Sequence, residues 1–366
     1  MTTLRWAAPL VLAAAVLTGC KHSTPTASST SAVEAPPVQV DTLQKLGYSQ
    51  RWVTDLTIRP NERISQVTLL NDQLIVIQQP SNLVRAVSVR DGSTLWRNVV
   101  GEATDELYEP VRIGNRIYIN TGHRVYAIAA DTGTKLSIGD LQSSVADGPA
   151  VSGLNLIFGS LTGKIFAHSS VTGHSAWVMS TPEGILVRPV VDGNDVFVAD
   201  RAGNYKMLST TGELLWYGRA LAQISAKPIL NANGVFVASD DQTFRALNRI
   251  NGKDRWTYRA TAALRESPTA LGGTLYLPLP TGELAAIDPL NGAELWKLPG
   301  KPTPLLLNDQ KLLLYTSKSL LLVDNQTSKT LTQVPIAPVQ KVMVGPDNSL
   351  ILIAVDGQVQ RLDKGQ

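Results

Sequence analysis

Residues 188–216 read RPVVDGNDVFVADRAGNYKMLSTTGELLW, and this stretch decides the fold. An apolar start at 189–191 is followed by the turn Asp192-Gly193-Asn194 and by the apolar run Val196-Phe197-Val198-Ala199. A second turn at 200–203 leads to a third run at 205–208, and Thr210-Thr211-Gly212 turns the chain into Leu214-Leu215-Trp216-Tyr217. Gly, Asn and Asp at the corners supply the positive φ that tight hairpins require. Four short antiparallel strands in a unit of about forty residues make a propeller blade and not a helical repeat.

The unit recurs. Trp177, Trp216, Trp256 and Trp296 are spaced by 39, 40 and 40 residues, and Trp96 lies two periods before Trp177. Four residues before each stands a glycine: Gly92, Gly173, Gly212, Gly252 and Gly292. The same rule finds the missing member, because Gly133 places Ser137 in a tryptophan slot. Prolines at 110, 149, 189, 228, 268 and 304 keep the same phase, each opening a strand-like stretch. The C-terminal stretch has three strands, at 339–344, 350–355 and 358–362, and lacks a fourth. Near the N-terminus, Gln50-Arg51-Trp52-Val53 reads as an isolated outer strand that would complete that last blade and clasp the ring. Outer-strand slots at 52, 96, 137, 177, 216, 256, 296 and 332 predict an all-β fold, an eight-bladed β-propeller of four-stranded antiparallel blades closed by an N-terminal strand. Seven blades is the rival count, because the unit around Thr332 is short and has neither Trp nor Gly.

Composition excludes several function classes. The 366 residues carry 33 basic and 30 acidic side chains, a net charge of +3, which gives no field for gripping a nucleic-acid backbone. A single cysteine, Cys20, allows no internal disulfide, CxxC pair or thiolate metal site. With 43% apolar residues the chain can bury a core, yet it exceeds the size at which single cores stop growing, as a modular array would.

Residues 1–20, MTTLRWAAPLVLAAAVLTGC, have a short n-region with Arg5 and an apolar run of about a dozen residues, too short to span a bilayer. The ending Leu17-Thr18-Gly19-Cys20 resembles the bacterial lipobox. That resemblance implies a signal peptide over 1–19, acylation of Cys20, and stable anchoring by several acyl chains. Lys21 in place of Asp points to the outer membrane, with the body facing the periplasm. The Ser-, Thr-, Ala- and Pro-rich composition after Cys20 predicts a tether over 20–46, on the order of 30 Å long as a flexible coil, with the propeller at 47–366.

The blade signature, best seen in AIDPLNGAELW at 286–296 and ALNRINGKDRW at 246–256, resembles the PQQ-type repeat of quinoprotein propellers; Gly-His and Trp-Asp pairs of the WD40 kind are missing. Trp52, Trp96, Trp177, Trp216, Trp256 and Trp296 are then scaffold, flat rings able to stack between blades. Lipobox, tether and clasped ring together resemble the BamB family of the outer-membrane β-barrel assembly machinery. The resemblance implies a non-enzymatic scaffold without a cofactor, whose partners are the POTRA domains of BamA, the rest of the Bam complex and nascent outer-membrane proteins. The family's Leu-x-Leu-Arg contact element maps onto Ile185, Val187 and Arg188, whose apolar members also suit an inner strand's core. The family's loop aspartates have no counterpart in 218–225.

Two other functions are open to the sequence. A periplasmic lipoprotein of the same repeat could bind another envelope partner or ligand. A quinoprotein dehydrogenase would need a calcium-held quinone, an Asp base and often a Cys-Cys pair, whereas the adjacent pair Asp240-Asp241 sits at a turn where a solvated Asx turn is expected. His123, His168 and His174 form no metal-ligand spacing and read as surface or turn residues.

Overall fold

The computed structural model describes residues 37–38 and 40–365. Among them are eight four-stranded antiparallel sheets, one for each outer-strand slot read from the sequence. Blades 1 to 7 are continuous in sequence, over 63–99, 111–140, 150–180, 190–219, 229–259, 269–299 and 303–335. Blade 8 takes three strands from 339–364, and its outer strand is Tyr48–Asp55, paired with Gln358–Lys364. The unit around Thr332 is therefore a full blade, and the rival count of seven fails.

Each strand's composition follows from its depth. Second and third strands are packed on both faces and so carry uninterrupted apolar runs, such as Ile117-Tyr118-Ile119, Leu156-Ile157-Phe158 and Val235-Phe236-Val237, nearly all fully buried. Outer strands have one covered face and alternate; in Leu214–Arg219 only Trp216 is buried. Opposite the slot residue on the third strand stands Ala86, Ala127, Ala167, Met207, Ala246 or Ala286, with a β-bulge beside it.

The tryptophan joins blades. Trp52, Trp96, Trp177, Trp216, Trp256 and Trp296 each donate the indole N–H to a backbone carbonyl in the next blade, on Val89, Ala130, Thr210, Arg249, Pro289 and Asn325, at 2.6 to 3.0 Å. Five of the rings, all but that of Trp296, lie on that blade's glycine. A Cβ added to Gly292 would stand 2.6 Å from Trp256 Cε3, and Gly292 also holds φ +75°. Gly therefore serves at this point both for the turn and for the close approach of the ring.

Blade 8 closes on blade 1 through Trp52 and through Gln340 and Lys341, which donate to the carbonyls of Ile64 and Val67. The last residues of the stretch 20–46, expected as a tether, are packed on the ring. Val38, Leu43 and Leu46 are buried against Leu320 and Val334 of blade 7 and Val342 and Leu362 of blade 8. Val38 also exchanges two hydrogen bonds with the Gln360 amide, each 3.0 Å long. A helical turn, Val40–Leu43 with Gln44–Leu46, leads into the clasp strand. Cys20 and residues 1–36 lie outside the described residues. No helix among the described residues is long and apolar enough to cross a membrane.

The ring contact predicts an asymmetry between two glycines. Gly173 has φ +71° but faces the Ser137 slot, and a Cβ there would meet nothing within 4 Å. Gly173→Ala should cost only the left-handed backbone penalty of about 1–2 kcal/mol. Gly292→Ala adds overpacking against Trp256, about 1–3 kcal/mol more. Urea midpoints of the two variants read the difference; equal losses would contradict stacking as the role of Gly292.

Candidate partner-docking face

In an up-and-down blade, the loop between second and third strands and the linker to the next blade emerge at the same end. Backbone hydrogen bonds weave these segments together: Val145 to Gly122, Leu161 to Ser144, Thr181 to Gly163, Ile185 to Ser160, Arg201 to Gly184, Ala220 to Gly203 and Asp240 to Gln223, donor named first. One face of the ring is therefore a set of short, mutually pinned loops, suited to presenting side chains in fixed positions.

Of the residues mapped from the Leu-x-Leu-Arg element, Ile185 is 1% exposed and packs against Gly159 in the core between blades 3 and 4. Its side chain forms part of the core and no surface contact. Val187 is half-buried. Arg188 is a staple across three blades. Its Nη2 meets Glu109 Oε2 at 3.1 Å and Asp147 Oδ1 at 3.8 Å, its Nε donates to the Gly148 carbonyl, and its backbone N–H donates to Asp147 Oδ2. The guanidinium is 11% exposed, so most of its donors are spent inside the protein. The residue that reaches outward from this linker is Leu186, at 36% exposure.

Two further leucines stand out on the same face, Leu161 in the blade 3 loop and Leu221 in the linker after blade 4, the latter 88% exposed. The linker at 218–225 has no acid of its own, as the sequence indicated, but the neighbouring loop supplies two. Asp241 accepts from the Leu221 N–H at 3.0 Å, and Asp240 accepts from Ser225 Oγ at 2.9 Å. Asp241 does form the expected Asx turn with Thr243 N–H, yet it is not solvated: its side chain is 7% exposed and pairs with Arg245 at 2.8 Å. Burial alone would raise its pKa; hydrogen bonds from Thr243 and the Leu221 N–H, with Arg245, hold it below the ordinary carboxylate value. Asp240 pairs with Arg265 at 3.0 Å.

The histidines are scattered. His123 Nδ1 is 3.1 Å from Ser144 Oγ, and His174 is exposed on a turn. His168 departs from the surface expectation: it is a strand residue, 5% exposed, and burial, then His174, lowers its pKa. Among the described residues no group of three or more His, Cys, Asp or Glu could hold a metal ion. Asp240 and Asp241 are paired with Arg265 and Arg245.

Sequence reasoning missed Leu161, Leu221, Glu109 and Asp147. The leucines carried a readable signal, since an apolar residue between turn residues has no strand face to fill. The acids paired with Arg188 over 79 and 41 positions had none.

The family model described as "Outer membrane protein assembly factor BamB" matches residues 39–179 and 178–366. Tetrathionate hydrolase of Acidithiobacillus ferrooxidans is 28% identical over 134 residues, 36% of this chain, and the match spans about a quarter (24%) of that relative's length. Among solved structures, BamB from Moraxella catarrhalis has a TM-score of 0.68 at 20% identity, over 86% of this chain and 97% of that one. The computationally designed Ika8 protein gives 0.69 at 16%, over 84% and 98%. The quinohemoprotein alcohol dehydrogenase ADHIIG from Pseudomonas putida HK5 gives 0.71 at 12%, over 90% and 78%. At these identities the structural likeness speaks for the fold alone.

Two predictions follow from the paired groups. Arg188→Met should destabilise by about 1–3 kcal/mol through lost charge-assisted hydrogen bonds, and adding Glu109→Gln should cost less than the sum of the two changes; additive unfolding midpoints would show that the pair is not coupled. For His168 the folded pKa lies below the ordinary 6.5, so the unfolded chain binds the proton first. Its contribution is intact above that value and declines as pH falls from 6.5 towards the folded pKa. His168→Gln should therefore lose less stability than wild type between pH 7.5 and 5.5, measured by urea unfolding at both.

Proposed function

The chain belongs to the BamB family of outer membrane protein assembly factors, and on that premise we propose that it is a non-enzymatic scaffold of the β-barrel assembly machinery, docking on the periplasmic POTRA domains of BamA and assisting insertion of outer-membrane proteins. The observation that carries the reading is the pinned loop face, where Leu161, Leu186 and Leu221 project from short segments tied by backbone hydrogen bonds. Apolar side chains on rigid loops lose little entropy on docking, as interface anchors should. Val187 and Arg188 of the family element then act from beneath, with Arg188 fixing the linker that presents Leu186; Ile185 supports it from the core. In the same reading Cys20 carries the acyl anchor, 1–19 is removed as a signal peptide, and the chain stretching from Cys20 to the packed segment at Val38 holds the ring on the periplasmic side of the outer membrane.

Retention of the mature protein on immobilised BamA periplasmic domains tests this. Wild type should bind, and Leu186→Asp and Leu221→Asp should each weaken binding at least tenfold, about 1.4 kcal/mol. Ile250→Asp is the control, because Ile250 is 87% exposed on a third-to-fourth-strand turn at the other end of the blades. Failure of wild type to bind overturns the partner; equal weakening by Ile250→Asp overturns the face.

A further inference from the structure

Two of the eight outer-strand slots have no tryptophan, those of Ser137 and Thr332. The chain treats them differently. Beside the Thr332 strand the N-terminal turn lays in Leu43 and Leu46, so the junction of blades 7 and 8 is filled from within. At Ser137 nothing among the described residues fills the gap, and a cavity of about 340 Å³ opens between blades 2 and 3. That volume falls at the lower end of the range for ligand pockets.

The cavity keeps the receiving half of the tryptophan joint. In four of the six blades that receive a ring, the accepting carbonyl belongs to a residue whose own N–H is bound by the first turn of its blade: Val89 to Asp72, Ala130 to Asn115, Thr210 to Asn194 and Asn325 to Gln310. Ser170 makes the same bond to Leu154. Its carbonyl is met only by Tyr118 Oη at 3.5 Å, longer than a good O–H···O bond. Gly173 keeps φ +71° with open space where a ring would lie. The imidazole of His168, 5% exposed, lines the cavity. At the rim, Ile138 and Val171 are 55% and 69% exposed.

We propose that the cavity between blades 2 and 3 is a binding site for an indole group, the ring lying on Gly173 with its N–H donated to the Ser170 carbonyl and His168 at its edge. The ligand chemistry is fixed by the molecule itself, which seats an indole on a carbonyl and a glycine at five other junctions. The site lies on the rim of the ring near the third-to-fourth-strand turn of blade 3, so it is independent of the loop face and of the BamA reading.

The test uses the mature protein titrated with indole and with N-acetyl-tryptophanamide, followed by NMR on the Ile138 and Val171 methyl groups; N-acetyl-alaninamide is the control. Saturable shifts and NOEs from the ring to those methyls are expected with both indole probes and not with the control. Ser137→Trp should fill the cavity from within, lose probe binding at least tenfold and raise the thermal midpoint. Val171→Asp, at an exposed position, should also weaken binding several-fold and serves if Ser137→Trp does not fold. Absence of saturable shifts in wild type at millimolar probe, or undiminished binding in the folded variants, would overturn the proposal.

Discussion

The structure rests on one recurring contact, an indole from the outer strand of one blade laid on a turn of the next, its N–H closing on a backbone carbonyl. A four-stranded blade has too little core to stand alone, so stability comes from the junctions, as in other repeat architectures. At six of the eight junctions a ring buries apolar area and satisfies its own donor on a backbone carbonyl. The geometry leaves the receiving position little choice. A side chain at Gly292 would collide with the ring, and a residue without tolerance for positive φ would break the turn. Gly and Trp are therefore two halves of one interaction belonging to different blades, although the sequence presents them four residues apart within a blade.

A ring must also close, and here covalent connectivity works against it, since the chain has two ends. Pairing Tyr48–Asp55 with Gln358–Lys364 places both ends in one sheet, so blade 8 cannot unzip without breaking long-range contacts. The segment before the clasp strand replaces the turn that the other blades use to lead into their outer strands. Leu43 and Leu46 do with two aliphatic side chains what a tryptophan and a glycine do elsewhere. The Thr332 junction is thus an adaptation to closure. Its lack of Trp follows from a covalent break at that point in the ring.

This explains how far the sequence was legible. Blade number, strand order and phase were readable because each depends on local, periodic residues: the turn glycines, the apolar second and third strands and the slot tryptophans. What escaped was set by neighbours distant in sequence. Val38, Leu43 and Leu46 sit in a stretch whose composition suits a tether, and only blades 7 and 8 give them a place. In the linker at 185–188 no period separates inward from outward residues. Ile185 pointed into the core and Leu186 outward, where the family element suggested the reverse emphasis. The partners of Arg188 had no sequence signal, because Glu109 and Asp147 precede other blades. His168 stands in the strand KIFAHS, whose alternation alone did not tell that both faces are covered.

The same frame serves proteins of unlike function, and the reason lies in which residues it consumes. The joints use the slot positions, the turn glycines and the strand interiors, leaving the loops and linkers free to vary. A quinohemoprotein alcohol dehydrogenase at 12% identity can therefore share the ring without sharing its chemistry. For this chain many of the free positions are tied to one another by main-chain bonds. Where acids occur among them, Asp240 and Asp241 are spent on Arg265 and Arg245, which stiffen the loops. Carboxylates committed in this way are poor candidates for proton transfer and good supports for a fixed surface. The apolar side chains that remain outside, on segments with few ways to move, then become the chemically distinctive part of that face.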